Sequence, residues 1–292
     1  MTSPRFSLVI PTYNLSDRLP ATLGYLTEQD FDPARFECIF VDDASRDDTV
    51  DILEGWRPPF GHRVLRNARN LGRSETRNRG WREASGKIVV FLDGDMLAHP
   101  SLLHAYERCF ADPDIEVVSG RRWNLDITKA DPKVQQVLAR ASHPATLGPS
   151  KAQDLEFSSL LDMASLGQVP IPIQEQLEHE LGELCQRYPR SMTRALAFVS
   201  SNVAVSRALL ERTGGFCPFF DRAEDTELGV RLAELGAQFA YASDAHAIHL
   251  FTGWSDADRD RDGFRVMMLR HPYFALLACY AWAVQHPGTP SL

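Results

Sequence analysis

The chain has 292 residues, a formal net charge of −8, 44% apolar residues and 24% charged ones. That usage excludes a disordered or fibrous chain, and the acid excess argues against nucleic acid as the main partner, because phosphate backbones need a basic surface. Five cysteines (Cys38, Cys109, Cys185, Cys217, Cys279) form no CxxC pair, so neither a zinc knuckle nor a disulfide framework is expected, and a reducing cytoplasm fits.

In chain order, residues 6–10 are a short apolar run ended by Pro11, as expected of a buried strand. Ser16 can cap a helix with Leu19, Leu23 and Leu26 on one face. Residues 37–41 predict the next strand, followed by the polar turn Asp42-Asp43-Ala44-Ser45 and a helix around 49–53. Residues 64–65 read as a third short strand, 74–84 as a helix stopped by Gly86, and 87–92 as a strongly apolar strand. This βαβα order predicts a mostly parallel sheet covered by helices, with ligands beyond the carboxyl ends of the strands.

Between 129 and 194, two sets of apolar residues fall at helical spacing: Phe157, Leu160, Leu161 and Ala164, then Leu177, Leu181, Leu184 and Tyr188. They predict inserted amphipathic helices that either pack on the core or wall an acceptor site. A strand over 196–205, a helix capped by Ser206 and closed at Gly214-Gly215, and a helix opening on Glu224-Asp225 come next. That last helix carries Leu228, Leu232 and Leu235 on one face, and two short strands follow at 238–242 and 245–250.

The longest apolar stretch, 273–284, falls short of the ~20 residues a membrane span needs. It reads as a C-terminal helix packed on the core or on a twin subunit, giving a homodimer, with a peripheral membrane contact as the lesser reading. The opening MTSPRFSLVI leaves no room for a secretory signal, so a cytoplasmic protein is expected. The organisation expected is a nucleotide-binding half over 1–120, a helical insertion over 121–195, the other half of the same domain over 196–252, and a helical tail over 253–292.

Four polar clusters mark strand ends or a helix start. Asp93-Gly94-Asp95 is the sharpest: carboxylates at i and i+2 on a glycine turn can converge on a hard divalent cation, Mn²⁺ or Mg²⁺, which also takes substrate phosphate. Alone, such a pair is more often a solvated turn; behind a buried strand it gains weight. Asp43 could accept a hydrogen bond from a base N–H, and Tyr13, in Pro11-Thr12-Tyr13-Asn14, offers a flat face for stacking. The bland alternative for Asp42 or Asp43 is a helix-capping turn. Arg73 and Arg77 could fork onto phosphate or base, or be a solvated helix face. Glu224-Asp225 suits a helix N-terminus structurally; functionally, the two are the candidate catalytic acids, with Asp225 able to take a proton from an acceptor hydroxyl. His249, with His246 as the lesser alternative, could add a neutral imidazole to the metal.

Together the blocks SLVIPTYN (7–14), VDDASRDDT (41–49), NLGRSETRNRG (70–80), GKIVVFLDGDM (86–96) and SNVAVSRALLERTGGF…EDTELGVRLAELG (201–236) resemble glycosyltransferase family 2, the inverting enzymes of the GT-A fold. The resemblance implies an α/β, Rossmann-like, mostly parallel central sheet flanked by helices, a nucleotide-sugar donor (UDP foremost), a hydroxyl-bearing acceptor (glycan, peptide or small natural product) and a divalent metal. By position it implies donor contacts at Pro11, Tyr13, Asp43 and Arg77, with Asp93 on the ribose or sugar side. It implies metal at Asp95 and the base at Asp225. Residues 121–195 and those after Thr252 match none of its blocks. The rival readings are a nucleotidyltransferase, disfavoured because strand one ends in PTYN with neither glycine nor lysine, and an inactive sugar-nucleotide-binding protein.

Overall fold

The computed structural model describes residues 3–127, 172–188, 191–220, 223–252 and 271. The first half alternates strand and helix: β1 (Phe6–Thr12), α1 (Leu19–Thr27), β2 (Phe36–Asp42), α2 (Thr49–Gly55), β3 (Gly61–Arg66), α3 (Arg73–Arg82) and β4 (Ile88–Leu92). Then come β5 (Met96–Ala98), α4 (Leu102–Cys109), β6 (Ile115–Asp126), α5 (Pro172–Arg187), β7 (Asn202–Ser206), α6 (Arg207–Thr213), α7 (Glu224–Glu234) and β8 (Gln238–Phe251). All eight strands form one sheet in the order β3-β2-β1-β4-β7-β6-β8-β5. The β3-β2-β1-β4 block and the β6–β8 pair are parallel, while β7 runs antiparallel to β4 and β6, and β5 antiparallel to β8.

The inner strands are apolar because both faces are covered. Along β1, Phe6, Leu8 and Ile10 join the core under α1 and α4, while Val9 joins the opposite core with Trp81, Leu209 and Leu228. The same alternation along β4 sends Val90 one way and Phe91 the other, as the two-residue period of a strand requires. Helix α3 lies close on β1: a Cβ at Gly80 would stand 2.3 Å from a Val9 methyl.

Several local expectations change. Pro11 does not end β1, which runs on to Thr12. Beyond Val9 the strand has β2 on one side and no pairing with β4 on the other, so a missing N–H on that open edge costs no ladder bond. Ser16 does not cap α1; its N–H donates to Asp47 Oδ2 at 3.0 Å and Arg18 holds the cap position. Residues 121–126, expected in the helical insertion, continue β6. Residues 192–197 form a 3-10 helix rather than the start of a strand, because Ser191 Oγ accepts from the Thr193 N–H and opens a helical turn. The two last strands are one, β8, with a bulge that steps from Gly120↔Ala242 to Arg121↔His246 and so passes over the polar Ser243-Asp244 between the two expected strands. The helix over 177–188 is present as α5, although Leu184 and Tyr188 of its expected apolar stripe are exposed. The other expected helix, around 157–164, and the tail after 252 lie outside the described residues, His271 apart. No helix among the described residues is long and apolar enough to cross a membrane.

Candidate active site

The strand ends gather the predicted residues at one end of the sheet. Because β7 is antiparallel to β4, with Leu92 opposite Asn202, the chain just before β7 meets the chain just after β4. The far half of β6 and its parallel partner β8 reach the same end.

At the ends of β1 and β2 the acids are turned inward. Asp42 accepts from the Ser45 N–H at 3.0 Å and from the Ser45 hydroxyl, closing the turn in which Ala44 takes a φ of +64°. Asp43 accepts three bonds, from Asn67 Nδ2 (2.7 Å), Leu71 N–H (2.8 Å) and Gly72 N–H (3.0 Å). A carboxylate has about four lone-pair sites, so most of Asp43 is spent on shaping the 67–72 loop rather than offered outward. Tyr13, by contrast, is 45% exposed.

The two aspartates of the D-G-D turn do not converge on one point. Gly94 lets the turn lie against β1, where a Cβ would meet Leu15 Cδ1 at 2.6 Å and Pro11 O at 2.9 Å. Asp93 accepts from Arg77 Nη2 at 2.8 Å. Burial alone would raise the Asp93 carboxyl, but Arg77, with His249 and Arg73, holds it below the usual range. Asp95 faces the other way: its Oδ1 is 3.6 Å from His249 Nε2 and its Oδ2 is 3.5 Å from Arg18 Nε. His249 Nδ1 is 3.0 Å from Asn124 Oδ1, an acceptor to which the ring can donate; a neutral ring with its proton on Nδ1 presents its lone pair at Nε2, on the Asp95 side.

A carboxylate oxygen and an imidazole nitrogen at this separation fit a manganese- or magnesium-sized ion with an open remainder of its shell. Among the described residues no group of three or more His, Cys, Asp or Glu side chains is arranged to hold a metal. His246 is not part of this pair. It lies three residues from His249 on the alternating strand, accepts from Trp123 Nε1 at 3.1 Å, and burial, with His99 and Arg121, pushes its pKa down to about 4.

Across the site, α3 and α7 meet through charge. Arg77 is only 2% exposed; its Nη1 donates to Glu224 Oε1 at 3.0 Å while Nη2 holds Asp93, and its guanidinium lies 5.5 Å from the Phe216 ring centre. Arg73, one turn earlier and 45% exposed, places Nε 3.0 Å from the same Glu224 oxygen and Nη2 3.2 Å from Oε2. Burial raises the Glu224 carboxyl, opposed by Arg73, reinforced by Asp225 and opposed again by Arg77. Both arginines expected on the donor, and the glutamate expected to share the catalytic acid–base role, are therefore engaged with one another. Asp225 differs. Its Oδ2 accepts from the Ser200 N–H at 3.1 Å, and its Oδ1 is buried with no hydrogen-bond partner among the described residues.

Ala223, just before, is left-handed at φ +60° and turns the chain into α7. The three non-glycine residues with positive φ among the described residues, Asn14, Ala44 and Ala223, each adjoin one of these clusters. Sequence reasoning missed Ser200, Asn124 and Arg18. Ser200 sits in a run misread as strand, Asn124 in the unread β6, and Arg18 carries no motif of its own.

The model of glycosyl transferase family 2 matches residues 7–158. Among curated relatives, the uncharacterized glycosyltransferase YfnE of Bacillus subtilis (strain 168) is 28% identical over 257 residues, covering 83% of this chain and 64% of the relative. Validoxylamine A glucosyltransferase of Streptomyces hygroscopicus subsp. limoneus is 28% identical over 292 residues, covering 98% of this chain and 60% of the relative. The chain thus spans less than two thirds of the length of these two. Among solved structures, the mannosyltransferase PcManGT from Pyrobaculum calidifontis in complex with GDP-Man and Mn²⁺ superposes with a TM-score of 0.61 at 20% identity, covering 99% of this chain and 71% of that one. S. aureus TarS 1-349 in complex with UDP-GlcNAc gives 0.59 at 18% identity, covering 96% and 70%. Both share the fold.

Proposed function

The chain belongs to glycosyl transferase family 2, and on that premise we propose that it moves a sugar from a nucleotide diphosphate donor, foremost a UDP-sugar, to an acceptor hydroxyl. The transfer inverts the anomeric carbon, with Asp225 as the base. The observation that carries this reading is the buried, unpartnered Oδ1 of Asp225, on a carboxylate whose other oxygen is fixed by the Ser200 N–H. Asp93 and Glu224 are committed to arginines. Asp225 is thus the acid of this cluster without an arginine bond of its own, suited to draw a proton from an attacking hydroxyl. The commitment of its neighbours favours a single displacement over a covalent sugar–enzyme intermediate.

Asp95 and His249 would hold Mn²⁺ or Mg²⁺, which when bound offsets the charge of the departing diphosphate. Tyr13 stacks on the base, and Pro11 and Asp43 shape the corner that receives it. Asp93 lies on the ribose or sugar side, and Arg73, the more exposed arginine, stays with the donor. Helix α5, from the segment expected as an insertion, meets β8 through Gln186 Nε2 donating to Tyr241 O at 2.6 Å and would wall the acceptor side.

Asp225→Asn tests the reading. With UDP-glucose and Mn²⁺ as probe, calorimetry should show unchanged donor binding, while UDP release falls by about 10²–10⁴-fold, the usual weight of a positioned base. Wild-type turnover in this variant would remove Asp225 from the role.

A further inference from the structure

Helix α7 begins at Glu224, four residues after Phe220, and its first turn needs an anchor to fix where Asp225 points. Two arginines spaced i and i+4 on α3, Arg73 and Arg77, converge on the Glu224 carboxylate, the residue directly before Asp225. Arg77 then spans from Glu224, at 3.0 Å, to Asp93, at 2.8 Å, after β4. A buried cation between two carboxylates from distant parts of the chain is costly unless its geometry is well satisfied, and here both terminal nitrogens are used while Nε is buried without a partner. The loop on the far side is tied to the same helix: Asn78 of α3 donates to Phe216 O at 2.7 Å and accepts from its N–H at 2.8 Å, and Ser74 donates to Phe220 O at 2.8 Å.

We infer that Arg77 is a positioning residue rather than a donor contact: through Glu224 it clamps the base-bearing first turn of α7 to the sugar-side carboxylate Asp93, so that the two halves of the reaction keep one spacing. This rests on the reading of Asp225 as the base. A lysine keeps the charge but lacks the fork that reaches both acids.

Three measurements on Arg77→Lys and on the double variant Arg77→Met with Glu224→Gln decide it. Hydrogen exchange at the amides of 224–228, read by mass spectrometry, should quicken at least about tenfold in Arg77→Lys, as expected when local opening becomes easier. UDP release from UDP-glucose with Mn²⁺ should lose about 100-fold in kcat, the scale of a misplacement of about 1 Å, with KM for the donor nearly unchanged. The double variant, which removes the buried Arg77–Glu224 pair together and leaves the partly exposed Asp93, should melt close to wild type yet stay slow. A raised KM with kcat intact would make Arg77 a donor contact; recovery of turnover in the double variant would make the ion pairs merely structural; unchanged exchange would sink the clamp. If wild type releases no UDP from UDP-glucose, the donor reading fails, and the exchange at 224–228 still decides whether Arg77 anchors α7.

Discussion

The corner at the ends of β1 and β2 and the corner between β4, α3 and α7 are built on opposite plans. In the first, polar groups are satisfied by neighbours close in sequence. Asp42 closes on Ser45, three residues on, and Asp43 ties down a loop about 25 residues away, the next βα connection. In the second, the arginines reach far along the chain: Arg77 and Arg73 meet Glu224 147 and 151 residues on. That corner also retains buried polar atoms with no partner, Arg77 Nε and Asp225 Oδ1. A pocket for a flat base can be finished before its ligand arrives. On the proposed reading of Asp225 as the base, its acceptor oxygen must not be occupied beforehand, and an unsatisfied group surrounded by fixed ones suits that role.

The sharpest way to break the second corner is Glu224→Ala. It leaves Arg77 buried with one carboxylate instead of two and removes the anchor of α7. Breaking a buried pair from one side costs about 3–5 kcal/mol, toward the lower end here because Arg73 is half exposed and Asp93 remains. Urea unfolding should show the loss; stability within about 0.5 kcal/mol of wild type would mean the ion pairs do not hold this corner.

The same contrast explains what could be read from the sequence. The first corner lay open because its signals are local: apolar runs followed by PTYN or DDAS. The parallel half of the sheet followed from the alternation of such runs with helical spacing. The second corner was only half legible. Glu224 and Asp225 announce themselves at a helix start, but nothing in the spacing of Arg73 and Arg77 says that they face a carboxylate 151 and 147 residues on. The strands β6 and β8 were missed or split because β6 is polar toward its end and β8 carries a bulge at Ser243-Asp244, so neither keeps the clean alternation that marks a strand. With β6 unread, Asn124 behind His249 was beyond reach.

Asn124 offers the intermediate test, at the boundary between the two plans. Its carbonyl fixes the His249 ring, and groups behind a metal-binding histidine commonly change affinity by 10–100-fold. Asn124→Ala should weaken Mn²⁺ binding about tenfold by calorimetry without donor present, and leave the melting temperature within a few degrees. Unaltered Mn²⁺ affinity would separate His249 from the metal.

The smallest effect belongs to the finished corner. Tyr13 is 45% exposed at the end of β1, so Tyr13→Ala removes little buried area and should leave stability within about 0.5 kcal/mol. It nevertheless follows Thr12, which pairs with Asp42 at the end of β2, next to Asp43. If that corner receives a base, the variant loses a stacking surface worth about 0.5–1.5 kcal/mol, read as a UDP affinity weaker by roughly 2–12-fold at constant Mn²⁺. The contrast with Glu224→Ala is then complete in kind: one change costs the fold and spares the nucleotide, the other spares the fold and costs the nucleotide. Equal UDP affinity in Tyr13→Ala and wild type would place the base elsewhere along the strand ends and leave the satisfied bonds of Asp43 a purely structural feature.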